Sequence, residues 1–188
     1  MKSMNSDINE FGRVLITKEQ IQQRVKELGE EISKDFKGQE IVVIGVLKGS
    51  FVFMADLVRH ISIPISLDFI TASSYGHGTT SSGVVTLKKD TDKDVTGKNV
   101  LIVEDIIDTG LTLTYIKDMF LARNAKKVSI CSALDKPSRR HKNVDIKVDY
   151  KGFEIPDEFV VGYGLDYDEY YRNIPEILVL KPEIYENN

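Results

Sequence analysis

Three runs of this 188-residue chain are apolar almost without interruption: 41–47 (IVVIGVL), 99–103 (NVLIV) and 127–134 (KVSICSAL). A strand with one wet face alternates apolar and polar residues, so a run that is apolar at every position suits a strand covered on both faces. Helical patterns lie between these runs. Residues 51–61 (FVFMADLVRHI) read as a helix, and 111–122 place Leu113, Ile116, Met119 and Phe120 on one side. Buried strands alternating with helices define an α/β fold built on a parallel sheet flanked by helices.

The remaining elements are less sharply marked. Residues 17–36 carry Ile21, Val25, Leu28 and Ile32 at helical spacing, and Thr17 with Gln20 forms a capping-box signature. Short strands are expected at 14–16, 66–73, 84–89, 159–165 and 176–185, with 144–155 as a strand near the sheet edge. The alternating pair between 66 and 89 reads as a two-stranded excursion from the core. It is linked by the polar segment 73–83 (SSYGHGTTSSG), which has almost nothing to anchor it. No repeat and no linker interrupts the chain, so one domain spans 1–188.

Composition excludes several classes. With 41% apolar and 29% charged residues the chain is globular rather than disordered, and a net charge of −4 gives no support for nucleic-acid binding. No stretch is long and apolar enough for a membrane span, and the N-terminus has no secretory h-region. The single cysteine, Cys131, lies in an apolar run and reads as a buried structural thiol. These features point to the cytoplasm. His60, His77 and His141 have no metal-ligand spacing and read as surface residues. There is no Walker sequence, and Gly162/Gly164 lacks the third glycine of a dinucleotide fingerprint.

The chemistry is concentrated at 100–112, VLIVEDIIDTGLT. Ligands of open parallel sheets bind beyond the carboxyl ends of the strands. Here an apolar strand runs into three acids and a small-residue turn that opens a helix. The N–H groups and positive dipole end of that helix suit a phosphate. Gly110 permits close backbone approach, and Thr109 and Thr112 add hydroxyl donors. Glu104 and Asp105 would repel a phosphate unless a divalent cation such as Mg²⁺ neutralised them; carboxylates also accept hydrogen bonds from ribose hydroxyls. The segment therefore suits a phosphorylated ribose bound with a divalent metal. The competing reading is an acidic turn with an Asp/Thr helix cap.

Residues 100–112 resemble the signature of type I phosphoribosyltransferases. LKGS (47–50), SSYG (73–76), LDKP (134–137) and FVVGYGLDYDEYYRN (159–173) resemble, in order, motifs of hypoxanthine-guanine phosphoribosyltransferases. The resemblance implies a type I phosphoribosyltransferase fold with a hood formed by the N- and C-terminal segments and a lid at about 73–83. It implies Mg²⁺-dependent transfer of 5-phosphoribosyl from phosphoribosyl pyrophosphate to hypoxanthine or guanine, giving IMP or GMP and pyrophosphate, in a homodimer or homotetramer. By the same resemblance, Asp108 is the catalytic base facing purine N7, and Thr109, Gly110, Leu111 and Thr112 cradle the 5-phosphate. Glu104 and Asp105 hold the ribose hydroxyls and metal. Lys48, Gly49 and Arg172 contact pyrophosphate, Lys48 following a cis peptide after Leu47. Ser74 and Tyr75 close the lid. Lys136 meets the 6-oxo group, Phe159 stacks on the base, Val160 offers backbone contacts, and Asp166 approaches the exocyclic group and a second metal. Two rival readings are a transferase for another base, such as xanthine or uracil, and a regulator that senses phosphoribosyl pyrophosphate while binding DNA or RNA. LDKP and FVVGYGLDY favour a 6-oxopurine, and the chain has neither spare length nor net positive charge for the regulator.

Overall fold

The computed structural model describes residues 10–74 and 85–186, with the side chains of Ser73 and Ser74 left out. The elements run β1 (Phe11–Ile16), α1 (Lys18–Asp35), β2 (Ile41–Leu47), α2 (Phe51–Val58), β3 (Ile65–Ser74) and β4 (Val85–Lys89). They continue with β5 (Asn99–Ile107), α3 (Leu111–Ala122), β6 (Lys127–Asp135), β7 (Tyr150–Glu154), β8 (Val160–Val161), β9 (Ile177–Leu180) and α4 (Pro182–Tyr185). A six-stranded sheet has the order β4-β3-β2-β5-β6-β7. Every pairing in it is parallel except β3 with β4. The three uninterrupted apolar runs are its central strands.

Why those runs had to be apolar on both sides is visible in the packing. Alternate residues of the same strand feed two separate cores. Ile41 and Val43 of β2, Leu101 and Val103 of β5, and Cys131 and Ala133 of β6 pack beneath α1 and α2. Their neighbours Val42, Ile44, Val100, Ile102, Val128 and Ile130 pack beneath Leu113, Ile116 and Phe120 of α3. Each strand is thus the floor of two cores, and no position on it can be polar without being buried.

Helix α1 begins as its sequence requires. Gln20 N donates to Thr17 Oγ1 at 3.3 Å, and Thr17 N donates to Gln20 Oε1 at 2.9 Å, which completes the capping box. Its buried stripe is Ile21, Val25, Leu28 and Ile32. Cys131 is fully buried, and burial pushes its thiol pKa up.

Several expectations need correction. Strand β3 is no excursion: it runs parallel to β2 over seven paired positions inside the main sheet, and only β4 turns back as an antiparallel edge. Strand β5 does not stop at Val103. It continues through Glu104 and Asp105 to Ile107, because Glu104, Ile106 and Ile107 still pair with β6. The edge strand β7 is confined to Tyr150–Glu154, and residues 144–149 are irregular. Strands β8 and β9 leave the main sheet and form a small three-stranded antiparallel sheet with β1, in the order β1-β9-β8. β8 is only two residues long because Gly162 and Gly164 follow with φ of +96° and +102°, which bends the chain out of the strand. The segment 73–83 lies outside the described residues apart from the backbone of Ser73 and Ser74. Among the described residues no helix is long and apolar enough to cross a membrane.

Candidate active site

A cleft of about 430 Å³ opens at the carboxyl ends of β2 and β5. Its walls include Lys48 and Gly49 after β2, Glu104 to Asp108 on and after β5, and the turn Thr109–Thr112, with Arg139 at one side. This is where an open parallel sheet is expected to bind a ligand.

The first wall is a close-packed loop. The Leu47–Lys48 peptide is cis, as the resemblance implies. Buried Ser50 donates its hydroxyl back to Val46 O at 2.7 Å, closing the turn between β2 and α2. A Cβ on Gly49 would stand 1.5 Å from Asp105 Oδ2, and a Cβ on Gly164 would stand 2.1 Å from Gly49 O. The loop is therefore wedged between the Asp105 carboxylate and the turn after β8, and glycine is needed at both contacts. Arg172 ties that turn down: its Nη1 donates to Gly164 O at 2.9 Å and its Nη2 reaches Asp166 Oδ1 at 2.8 Å.

The second wall carries the acids. Buried Glu104 and half-buried Asp105 are consecutive. Asp105 N donates to Glu104 Oε1 at 3.1 Å, and Ile106 N donates to Asp105 Oδ1 at 2.7 Å. Burial raises both carboxyl pKa values. Glu104 rises far, with the Asp105 charge as the second cause; Asp105 rises less, held back by hydrogen bonds and by the charge of Arg172. Among the described residues no group of three or more His, Cys, Asp or Glu side chains forms a complete metal cage. What exists is a pair of hard oxygen donors in a low-dielectric cleft, with no cation of the described residues within ion-pair distance. Mg²⁺ binds in this manner, through one or two carboxylates completed by water and substrate oxygens, so the pair fits the metal. Asp166 stands apart: its two oxygens are taken by Arg172 Nη2 and by Glu169 N at 2.9 Å.

The third wall is the phosphate-type turn. The N-cap of α3 is Gly110, with φ of +77° and no side-chain cap, which removes Asp108 from the helix-cap role. A Cβ on Gly110 would lie 2.9 Å from Val144 Cγ1 and 3.2 Å from Arg140 Cδ. Leu111 N donates to Thr109 Oγ1 at 3.4 Å. The next N–H groups, on Thr112 and Leu113, open the helix and have no carbonyl one turn back to meet.

Asp108 and Lys136 face each other beside this turn. Lys136 Nζ is 3.8 Å from Asp108 Oδ1, and that oxygen is buried with no hydrogen-bond partner among the described groups. Lys136 is itself buried, at 7% exposure. The two loops are joined by Lys136 N donating to Ile107 O at 2.9 Å and by Arg140, whose Nη1 donates to Asp108 O at 2.8 Å. Arg140 Nη2 pairs with the buried Asp135 carboxylate, which Lys151 Nζ also approaches at 3.6 Å.

Lys48, Gly49, Glu104, Asp105, Asp108 and Thr109–Thr112 thus converge on one cleft. Lys136 joins them through Asp108, and Arg172 and Asp166 through the Gly164 turn. Phe159 stands in the smaller sheet region, stacked on Tyr185 (ring centroids 4.9 Å apart, planes at 24°) and edge-on to Tyr167 at 5.7 Å. Val160 is buried and pairs with Val179. Tyr163 is buried, whereas Tyr170 is 69% exposed. Ser74 ends β3 opposite Val85, and Tyr75 lies outside the described residues, as does His77. Arg139, Arg140, Asp135 and Glu169 were not singled out by sequence. The only sequence signal for them is the Arg139–Arg140 doublet just after LDKP and the acid-rich turn DYDEYYR.

A parallel sheet with an acidic strand end running into a helix-opening turn of this kind suits a transferase that handles a phosphorylated ribose, and the chain belongs to the phosphoribosyl transferase domain family, whose model matches residues 16–168. It is 52% identical over 179 residues to the hypoxanthine-guanine phosphoribosyltransferase of Bacillus subtilis (strain 168), covering 95% of this chain and 98% of that protein. It is 49% identical to the bifunctional protein TilS/HprT of Listeria monocytogenes, of which it covers 28%. The crystal structure of a hypoxanthine phosphoribosyltransferase from Staphylococcus aureus matches with a TM-score of 0.91 at 48% identity, covering 98% of both chains.

Proposed function

We propose that this protein transfers the 5-phosphoribosyl group of phosphoribosyl pyrophosphate to N9 of hypoxanthine or guanine, giving IMP or GMP and releasing pyrophosphate. The observation that carries this reading is the pair Lys136 and Asp108: a buried ammonium 3.8 Å from a carboxylate oxygen that has no hydrogen-bond partner among the described residues, at the mouth of a phosphate-type turn. An ammonium only donates, so it pairs with a 6-oxo group and not with the 6-amino group of adenine. A carboxylate accepts, so Asp108 takes the proton at N7. The two together read adjacent edges of a 6-oxopurine.

The rest of the cleft supplies the other needs of the reaction. The C1′–oxygen bond to pyrophosphate breaks as the N9–C1′ bond forms, through a transition state with oxocarbenium character. The turn Thr109–Thr112 holds the 5-phosphate with its N–H groups, the threonine hydroxyls and the helix dipole. Glu104 and Asp105 accept from the ribose hydroxyls. The same two carboxylates would hold Mg²⁺, which when bound neutralises the charge on the leaving pyrophosphate; Asp166, engaged by Arg172 and Glu169 N, would approach a second metal only by giving up one of those contacts. Lys48, the Gly49 backbone and Arg172 contact that group; arginine's planar fork matches phosphate oxygens. One face of Phe159 is taken by Tyr185, and its other face stacks on the purine, with Val160 giving backbone contacts. Ser74 and Tyr75 belong to the closing segment, which excludes water from a centre that would otherwise be hydrolysed. In this reading one domain spans the chain, the sheet of β1, β8 and β9 forms the hood over the base, the assembled form is a homodimer or homotetramer, and the enzyme works in the cytoplasm.

The test is pyrophosphate release from phosphoribosyl pyrophosphate and Mg²⁺ with each of hypoxanthine, guanine, xanthine, adenine and uracil. Turnover with hypoxanthine and guanine is expected. Turnover with uracil or adenine but not hypoxanthine would overturn the reading.

A further inference from the structure

Lys48 and Arg172, the two cations read above as pyrophosphate contacts, share one anion of the protein itself. Glu169 Oε2 lies 2.7 Å from Lys48 Nζ and 3.6 Å from Arg172 Nη2. We propose that Glu169 is a built-in counter-anion of the pyrophosphate subsite, occupying the charges that the diphosphate group must claim and so setting how tightly that group is held and how fast it leaves.

Three features carry this. First, Glu169 is delivered by a specific turn. Asp168, Glu169 and Tyr171 all have positive φ (50°, 68° and 74°), and Asp166 holds the turn by accepting from Glu169 N on one oxygen while its other oxygen pairs with Arg172. The residue that orients Arg172 therefore also places Glu169. Second, the position is chemically that of a phosphate: a carboxylate oxygen within charge-assisted reach of an ammonium and a guanidinium is what a phosphoryl oxygen would be. The Glu169 carboxyl is held below its ordinary pKa chiefly by Lys48, so the counter-charge is present at neutral pH. Third, the contact can be displaced. Both Lys48 and Glu169 side chains are 64% exposed, and exposed ion pairs are weak and screened by salt. A diphosphate carrying several charges outcompetes one carboxylate, at a cost equal to the pair it breaks. The protein gains by keeping two neighbouring cations from repelling each other in the absence of ligand.

The inference rests on the reading of Lys48 and Arg172 as pyrophosphate contacts. Binding of magnesium pyrophosphate to the full chain, followed by calorimetry, separates the two. Glu169→Gln keeps the shape and removes the charge, and an exposed pair of this kind predicts a Kd lower by about two- to five-fold, with the gain in slower dissociation. KM for phosphoribosyl pyrophosphate should fall in parallel. Asp168→Asn removes the neighbouring charge without touching either cation and should leave Kd unchanged. Glu169→Ala repeats the measurement should glutamine find new hydrogen bonds, and thermal melts confirm folding of each variant. Unchanged or weaker binding in both Glu169 variants, or equal tightening by Asp168→Asn, would overturn the proposal while Lys48→Met still weakens pyrophosphate binding. Unchanged binding in Lys48→Met would overturn the underlying reading, and the counter-anion role with it.

Discussion

Lys136 Nζ stands 3.8 Å from Asp108 Oδ1, and although that oxygen is buried, no group among the described residues hydrogen-bonds to it. A buried polar atom left without a partner is costly. At the rim of a cleft lined by phosphate-type donors, the arrangement reads as a pair held ready for a ligand edge.

Asp108→Asn removes the proton acceptor and keeps the shape. Turnover with hypoxanthine should fall by ~10²–10⁴, the usual worth of a positioned general base, with little change in KM for phosphoribosyl pyrophosphate. Steady-state kinetics check this. Unchanged turnover would remove Asp108 as the base and leave the phosphate site standing.

Lys136→Met should act on base choice. Loss of the donor proposed to face the 6-oxo group is expected to lower kcat/KM for hypoxanthine by up to ~10⁴. Discrimination against adenine should shrink at the same time. Competition between the two bases in one assay reads both effects.

Gly49→Ala would place a methyl group 1.5 Å from Asp105 Oδ2. The Asp105 carboxylate is held on its other oxygen by Ile106 N and the loop is held by Ser50, so a loss of stability of ~1–3 kcal/mol is expected, as for other overpacked sites. Activity should fall with it, because the same movement displaces Lys48. Chemical denaturation and kinetics on one preparation separate the two losses.

Glu104→Gln relieves a buried like-charge pair whose pKa values are raised by burial. The variant should therefore melt at a higher temperature than the parent in metal-free buffer. It should also lose most of the stabilisation that added Mg²⁺ gives the parent. Thermal melts with and without Mg²⁺ give both answers, and a lower melting temperature for the variant would count against the like-charge account.

Asp90 anchors the far end of α3 through Arg123, with Nη2 to Oδ2 at 2.6 Å, and this hydrogen bond lowers the Asp90 pKa. A depressed carboxyl pKa contributes stability above the unfolded value and loses it as pH falls through the folded one. Asp90→Asn should therefore cost ~0.2–1 kcal/mol at pH 7, the worth of a partly exposed pair. The difference from the parent should vanish as the pH falls below about 4. Urea denaturation at several pH values measures it.

The central sheet was legible because its physics repeats along each strand: a strand with two covered faces must be apolar almost throughout, and 41–47, 99–103 and 127–134 are, with buried Asn99, Ser129 and Ser132 as the polar exceptions. The capping box at Thr17 was legible because it is local. Where strand and site overlap, the pattern misleads. Glu104 and Asp105 look like the end of a strand because they are charged, yet their backbone still pairs with β6, and this extra length carries them into the cleft. Residues 144–149 alternate like a strand, but Val144 and Ile146 are recruited to pack around Gly110. The clamp made by Arg140 and the anion supplied by Glu169 could not be read in advance. Each is a charged residue in an irregular segment, and its meaning comes from a partner more than thirty positions away, Asp108 for the one and Lys48 for the other.

The sheet that joins β1 to β9 has a consequence for synthesis on the ribosome. Phe11 pairs with Leu180 and Val160 with Val179, so β1 emerges well before the strand it must pair with. The segments proposed to hold the sugar phosphate, within 41–112, are complete long before β9. A nascent chain can thus assemble its sugar-phosphate half first, and the wall proposed to hold the base is finished only when β9 arrives.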